Sequence, residues 1–436
     1  MSEERAYAKV TLRLLPFLGI CYLVAYLDRV NVGFAKLHML ADIGMSEAAY
    51  GFGAGIFFIG YFLFEVPSNL VLHRVGARIW IARIMVTWGL ISGAMAFVEP
   101  LARTTGLEVN TVFYILRFLL GAAEAGFFPG VLLYLNYWYP AHRQSRTIAL
   151  LLVAQPFAFV FGAPLSGAIM ESFGGVKGLA DWQWMFILEA VPALVLGIVV
   201  LAFLDNRIED AKWLTDGEKQ LLRARLDGEA RRKRDTPLRE LFAIPAMWLF
   251  TVILFCIVTG VYGINFWLPT IISGTGVGSV LDVGYITAAC YFSAAAISVL
   301  VTRRAERVNE KRWHATAAMV LGGVCLALSA MWTTSTLVTA VLLSLATAGA
   351  LIATALFWSF PGSMLTGVGV AAGLAAINSF GNLGGFVGPY LLGLVTEWLG
   401  SRTAGVSALG GFMVVAGVLI ALGCGRYGLR QPQQLP

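Results

Sequence analysis

Residues 14–35 read LLPFLGICYLVAYLDRVNVGFA. The stretch is apolar apart from a few polar residues around the adjacent pair Asp28 and Arg29. Its length matches the roughly 20 residues that a helix needs to cross a bilayer core of ~30 Å. It is too long for the core of a cleaved signal, and no small-x-small site follows it, so it reads as a retained membrane helix. The same window, carried along the chain, finds spans near 48–72, 79–98, 111–136, 146–170 and 183–204. A second set lies near 242–272, 281–301, 314–333, 336–360, 366–396 and 403–425, making twelve in all.

Composition agrees. Of 436 residues 58% are hydrophobic and 13% charged, against about 25% charged in a soluble domain, so most of the surface is expected to face lipid. The five cysteines all lie in apolar spans with no CxxC pair, which speaks against a disulfide or a metal cluster.

The net charge of +6 is a topology signal. With the N terminus taken as cytoplasmic, 25 of the 31 lysines and arginines fall on cytoplasmic segments, and four (Lys36, Arg103, Lys177 and Arg402) on outer loops. Such a split is the positive-inside pattern of a multi-pass inner (plasma) membrane protein with both termini cytoplasmic, and it removes the reason to invoke nucleic acid. The long polar stretch 205–240, with its Arg231-Arg232-Lys233-Arg234 run, reads as a cytoplasmic linker between two six-helix bundles at 1–204 and 241–436. The fold class expected is therefore an all-α membrane protein of two pseudo-symmetric halves, working as a monomer.

Two pairs of segments echo each other six helices apart. HRVGARIWIAR (73–83) answers ERVNEKRWH (306–314), and GAPLSG (162–167) answers GPYLLG (388–393). Proline and small residues in corresponding helices permit close contact and bending, as expected where two halves rock about a central site.

Ionisable groups inside a bilayer are costly and usually functional. The deep ones are Asp28, Arg29, Glu65, Arg117, Glu124 and Glu189, all in the first half. At 1.5 Å per residue, Arg29 lies about 22 Å up span 1, and Arg117 about 9 Å below the outer boundary of span 4, at a similar level. Glu124 shares a helix face with Arg117 and sits ~10 Å deeper. Two guanidinium forks suit an anion, above all a carboxylate, and desolvation can make a mid-membrane glutamate a proton carrier. The alternative is that the arginines merely neutralise Asp28 or Glu124 as structural ion pairs. Asp28 points about 100° away from Arg29 and could face a neighbouring helix. Glu65 and Glu189 read as structural. Tyr26, Tyr61, Gln155, Asn265, Trp358, Asn378 and Asn382 are polar or aromatic groups available to line a cavity.

YLDRVNVGFA (26–35), GYFLFEVPSNLVLHRVGAR (60–78), RFLLGAAEAGFFPG (117–130), YWYPAHRQSRTIA (137–149), AERVNEKRWH (305–314) and INSFGNLGGFVGPYLLG (377–393) together cover most of the chain. They resemble the anion:cation symporter family of the major facilitator superfamily, which carries tartrate, phthalate, galactonate and related anions. The resemblance implies that Arg29 and Arg117 hold the substrate carboxylate and that Asp28 and Glu124 couple protons. It also favours Tyr61, Gln155, Trp358 and Asn378 as substrate contacts. Two positions depart from the family pattern. Glu65 replaces an amide of the sugar-acid members, and His73 replaces the usual aspartate of the 2–3 loop, which puts that loop's ordinary gating role in doubt.

The expected function is import of a small organic carboxylate by proton symport with alternating access, with protons as coupling ion and no other cofactor. A uniporter or exporter of the same fold is the nearest alternative. An enzyme is disfavoured, because the four histidines (His38, His73, His142 and His314) show no metal-ligand spacing and no phosphate loop is present. A sensor is disfavoured because there is no output domain beyond the linker.

Overall fold

The computed structural model describes residues 3–230, 244–364 and 369–427. The Arg231-Arg232-Lys233-Arg234 run, the expected 240/241 junction and the expected start of span 11 at 366–368 lie outside the described residues. Among the described residues ten helices are long and apolar enough to cross a membrane: span 1 (Glu3–Ile43), span 2 (Glu47–Val75), span 3 (Ala77–Thr105), span 4 (Val109–Asn136), span 5 (Leu150–Phe173), span 6 (Asp181–Phe203), span 7 (Pro245–Ser273), span 8 (Val280–Arg307), span 10 (Thr336–Pro361) and span 12 (Arg402–Cys424). Span 9 (Arg312–Ser329) and the two-part span 11 (Gly369–Gly381 and Gly384–Leu399) complete the expected twelve.

The first span is far longer than its apolar stretch. It begins at Glu3 and runs to Ile43, so Lys36, read as an outer-loop residue, lies within a helix and is 3% exposed. A neighbouring carboxylate makes this possible, as described below.

Four spans are broken. Span 4 stops at Glu124 and resumes at Phe127, span 5 has a turn at Val153, span 10 one at Trp358, and span 11 one at Asn382 and Leu383. Spans 4 and 10, and likewise 5 and 11, are counterparts six helices apart, so the breaks follow the repeat read from the sequence. Span 3 is tightened into a 3₁₀ turn at Met95–Phe97. Backbone groups freed at mid-membrane need partners, and helix breaks occur there where they face protein or a cavity rather than lipid.

The chain divides into two compact units. One comprises Met1–Asn31, Ile59–Gly162 and Ser172–Arg234; the other Val32–Phe58, Ala163–Glu171 and Asp235–Pro436. At one end of the first unit Arg143 reaches Glu4 at 2.6 Å, Arg225 of the linker helix (Asp216–Ala230) reaches Glu3 at 2.8 Å, and Lys9 reaches Glu218 at 2.6 Å. These are the segments the lysine and arginine count assigned to one side. The second unit takes in the far end of span 1, the start of span 2 and the last turns of span 5, beside spans 7 to 12.

Candidate functional site

Among the described residues, every buried charged side chain lies in the first half or the linker: Asp28, Arg29, Lys36, Glu65, Arg117, Glu124, Glu189 and Glu218. The lopsided distribution expected from the sequence is thus present in three dimensions.

Within the first unit, Arg29 donates through Nη2 to Oε1 of Glu124 on span 4. Tyr26 and Tyr61 present ring faces to the same guanidinium, at 4.9 Å and 5.5 Å from its carbon to the ring centroids. The electrostatic attraction of a cation for an aromatic face lets two tyrosines hold an arginine without taking its hydrogen-bond donors. Tyr22 extends this wall, packing on Tyr26 and on Phe128 of span 4, while Phe159 of span 5 meets Tyr26 edge-on.

Glu124 is the last residue of the first segment of span 4. It sits at the negative end of that segment's dipole, where a nearby cation is favoured. The chain turns immediately after it. Gly126 has φ of +85°, a left-handed conformation, and a Cβ there would come within 2.4 Å of the Ser68 hydroxyl. Glycine is required on both counts. Arg117 shares the buried face of the segment with Glu124, acts on it electrostatically, and is fully buried.

Asp28 is held from span 3. Its Oδ2 accepts from the Trp88 indole at 2.9 Å and its Oδ1 from the Ser92 hydroxyl at 2.8 Å. Both donors belong to span 3, so Asp28 faces a neighbouring helix, the orientation the 100° offset from Arg29 had left open. Trp88 and Ser92 lie one turn apart on one face of span 3, a signal that a scan restricted to ionisable groups passes over. Glu65 and Glu189 are buried as well, at 6% and 1% exposure.

The structure therefore brings together Arg29, Glu124 and Tyr61, with Arg117 near and Asp28 turned to span 3. Gln155 is half-buried at the start of the second segment of span 5. Trp358 and Asn378 belong to the second unit, Trp358 at the break in span 10 and 37% exposed, Asn378 half-buried just before the break in span 11. Asn265 of span 7 accepts a 2.6 Å bond from the Tyr291 hydroxyl, a contact between neighbouring helices. No group of three or more histidine, cysteine or acidic residues arranged to hold a metal occurs among the described residues.

The family model of the Major Facilitator Superfamily matches residues 18–389. The chain belongs to the Major Facilitator Superfamily. A protein named as a tartrate transporter from Agrobacterium vitis is 45% identical over 96% of this chain and 91% of its own length. The metabolite transport protein NicT of Pseudomonas putida is 43% identical over 96% of this chain and 94% of its own. Among solved structures, a D-xylose-proton symporter superposes with a TM-score of 0.74 over 96% of this chain and 98% of that one, at 15% identity, a likeness of fold alone. This superfamily member is a multi-pass membrane transporter rather than an enzyme, and the name of the Agrobacterium relative matches the tartrate-like resemblance read from the sequence.

Proposed function

We propose that this chain imports a small organic carboxylate, tartrate- or phthalate-like, by proton symport across the inner membrane, with both termini cytoplasmic and the monomer as the working unit. The observation that carries the reading is the Arg29–Glu124 bond, a guanidinium already holding a carboxylate inside the membrane. An internal ion pair of this kind is also the geometry of a structural salt bridge. What favours a working role is its setting: a broken helix, an aromatic wall, and a second cation, Arg117, acting on the same acid.

Substrate and Glu124 compete for one fork of donors. An entering carboxylate takes Arg29, and Glu124, released into a buried site without its partner, takes up a proton rather than remain an uncompensated charge. For a singly charged carboxylate one anion and one proton enter and the charge of the site is unchanged; the second carboxylate of a tartrate- or phthalate-like dianion falls to Arg117. Reopening to the other side, proton loss from Glu124 restores its hold on Arg29 and expels the substrate. Arg117 keeps a positive charge beside the exchange, and Asp28 is a second acid able to carry a proton. Tyr61 fixes the guanidinium plane. Gln155, Trp358 and Asn378 enter this reading on the family resemblance alone.

Proteoliposomes given external radiolabelled tartrate or phthalate candidates test it. Uptake should rise severalfold under an inwardly directed proton gradient, and Glu124→Gln should abolish that accumulation while leaving exchange of internal for external substrate. Equal uptake with and without the gradient would reject proton coupling.

A further inference from the structure

Gly167 and Glu171 of span 5 recur at the same spacing as Gly393 and Glu397 of span 11, and Ser46 and Gly51 at the start of span 2 recur as Ser279 and Gly284 at the start of span 8. All eight residues belong to the second unit. The structure joins them in two matching seams. A Cβ on Gly393 would come 2.4 Å from the carbonyl oxygen of Glu47, and one on Gly167 would come 2.8 Å from that of Val280. From the other side, a Cβ on Gly51 would come 2.5 Å from the Pro389 oxygen, and one on Gly284 would come 2.6 Å from the Ala163 oxygen. Helix backbones touch directly in both places.

Each seam ends in a carboxylate that caps the facing helix. Oε2 of Glu397 accepts from the Ala48 backbone N–H, in the first turn of span 2, at 3.0 Å. Oε2 of Glu171 accepts from the Ser279 hydroxyl at 2.6 Å and from the Leu281 N–H, in the first turn of span 8, at 3.2 Å. The serines are N-caps in both helices, accepting from Ala49 at 3.2 Å and from Asp282 at 3.3 Å. Anions at a helix N-terminus satisfy orphan N–H groups and the positive end of the dipole.

We propose that Glu171 and Glu397 are twin latches that hold spans 5 and 8, and spans 11 and 2, closed at this end of the carrier, and that both must release for it to open there. The glycine seams alone give non-directional contact. The carboxylates are the directional elements within the seams, beside the exposed Arg402–Glu47 pair at 3.4 Å that ties span 12 to span 2 at the same end; both carboxylates are exposed, so water can replace their partners without leaving a buried charge. Each seam joins a helix of the first half to one of the second, so alternating access requires both to part. This rests on the reading of the chain as an alternating-access carrier, though not on its cargo.

The test is a spin-label distance between cysteines placed at exposed Ala41 and Leu399, measured in nanodiscs without substrate or proton gradient. In the unsubstituted background one short distance should dominate. Glu397→Gln should raise the longer-distance population by roughly fivefold, the effect of losing one helix-capping anion. Glu171→Gln should raise the same population, because the seams part together, and the double variant should raise it further. Ala48→Pro deletes the donor without touching a charge, at a first-turn position where proline is tolerated, and should reproduce Glu397→Gln. Unchanged distances in both the double variant and Ala48→Pro would overturn the latch, whatever uptake assays say of proton coupling.

Discussion

Trp88 donates its indole N–H to Asp28 across 2.9 Å, and with the Ser92 hydroxyl it occupies both oxygens of that carboxylate. The clasp fastens span 1 to span 3 one residue before Arg29, so it fixes the direction in which the guanidinium leaves the helix.

Removing either donor should loosen this fastening. Ser92→Ala leaves a buried carboxylate one bond short, a loss of about 1.5–3 kcal/mol for a bond to a charged group. Asp28→Asn should cost less in the Ser92→Ala background than alone, since the two residues share one contact. Thermal unfolding of the purified protein, run as a double-mutant cycle, reads the coupling; additive losses would show that the contact contributes nothing.

Arg29 and Glu124 call for a different pattern. Arg29→Met takes from the buried Glu124 its bonded partner and leaves only Arg117 beside it, which should destabilise by up to about 3–5 kcal/mol. Arg29→Met with Glu124→Gln removes both charges and should recover most of the lost melting temperature. Transport should stay absent in both variants, because no fork of donors remains for an anion. A double variant that folds and still accumulates substrate would show that Arg29 is a structural pair member and nothing more.

Twelve spans were legible because hydropathy is read over 20 residues at a time, and the single acid-base pair in 14–35 stood out against it. That the buried charges among the described residues lie in the first half and the linker was legible in part for the same reason. Partners were not. Arg29 could have met Asp28, Glu124 or a ligand, and only the rotation of spans 1 and 4 selects Glu124. The break after Glu124 is marked only by Gly126, one of 48 glycines, and by Pro129, which has no N–H to give the carbonyl of Ala125. Lys36 was misplaced because a lysine at the end of an apolar run reads as the membrane boundary, whereas here the helix continues and a glutamate from the next span meets it.

That lysine gives a third prediction. Its ammonium lies 2.6 Å from Glu47 and 3.0 Å from the centroid of the Trp267 ring, within the second unit. Glu47 is partly exposed and has a second partner, Arg402, at 3.4 Å. The two single deletions should therefore be unequal. Lys36→Met leaves Glu47 with Arg402 and water and should cost about 1 kcal/mol. Glu47→Ala leaves a buried ammonium with only aromatic faces, and should approach the ~3–5 kcal/mol of a broken buried pair. Melting temperatures in the reverse order would show that Lys36 reaches water.

The linker supplies the pH dependence. Thr215 and Glu218 form a capping box at the start of the helix Asp216–Ala230: the Thr215 N–H donates to Glu218 at 2.9 Å, and the Glu218 N–H donates to the Thr215 hydroxyl at 3.3 Å. Lys9 bonds the other carboxylate oxygen at 2.6 Å, and these contacts, the lysine first, hold the Glu218 carboxyl below the usual glutamate range. A depressed folded value gives stability that is fully present above the ordinary value of ~4.3 and is lost as pH falls through the folded one. Docking of the linker helix on span 1 should thus be constant from about pH 8 to 5 and weaken below about 4. A spin label at exposed Ala224 should become mobile over that lower range. Glu218→Gln keeps an acceptor for Thr215 but loses the charge facing Lys9, so its label should be more mobile at neutral pH and change less on acidification. If the glutamine variant kept the full acid transition, other carboxylates, Glu3 opposite Arg225 first among them, would be what ties the linker to span 1.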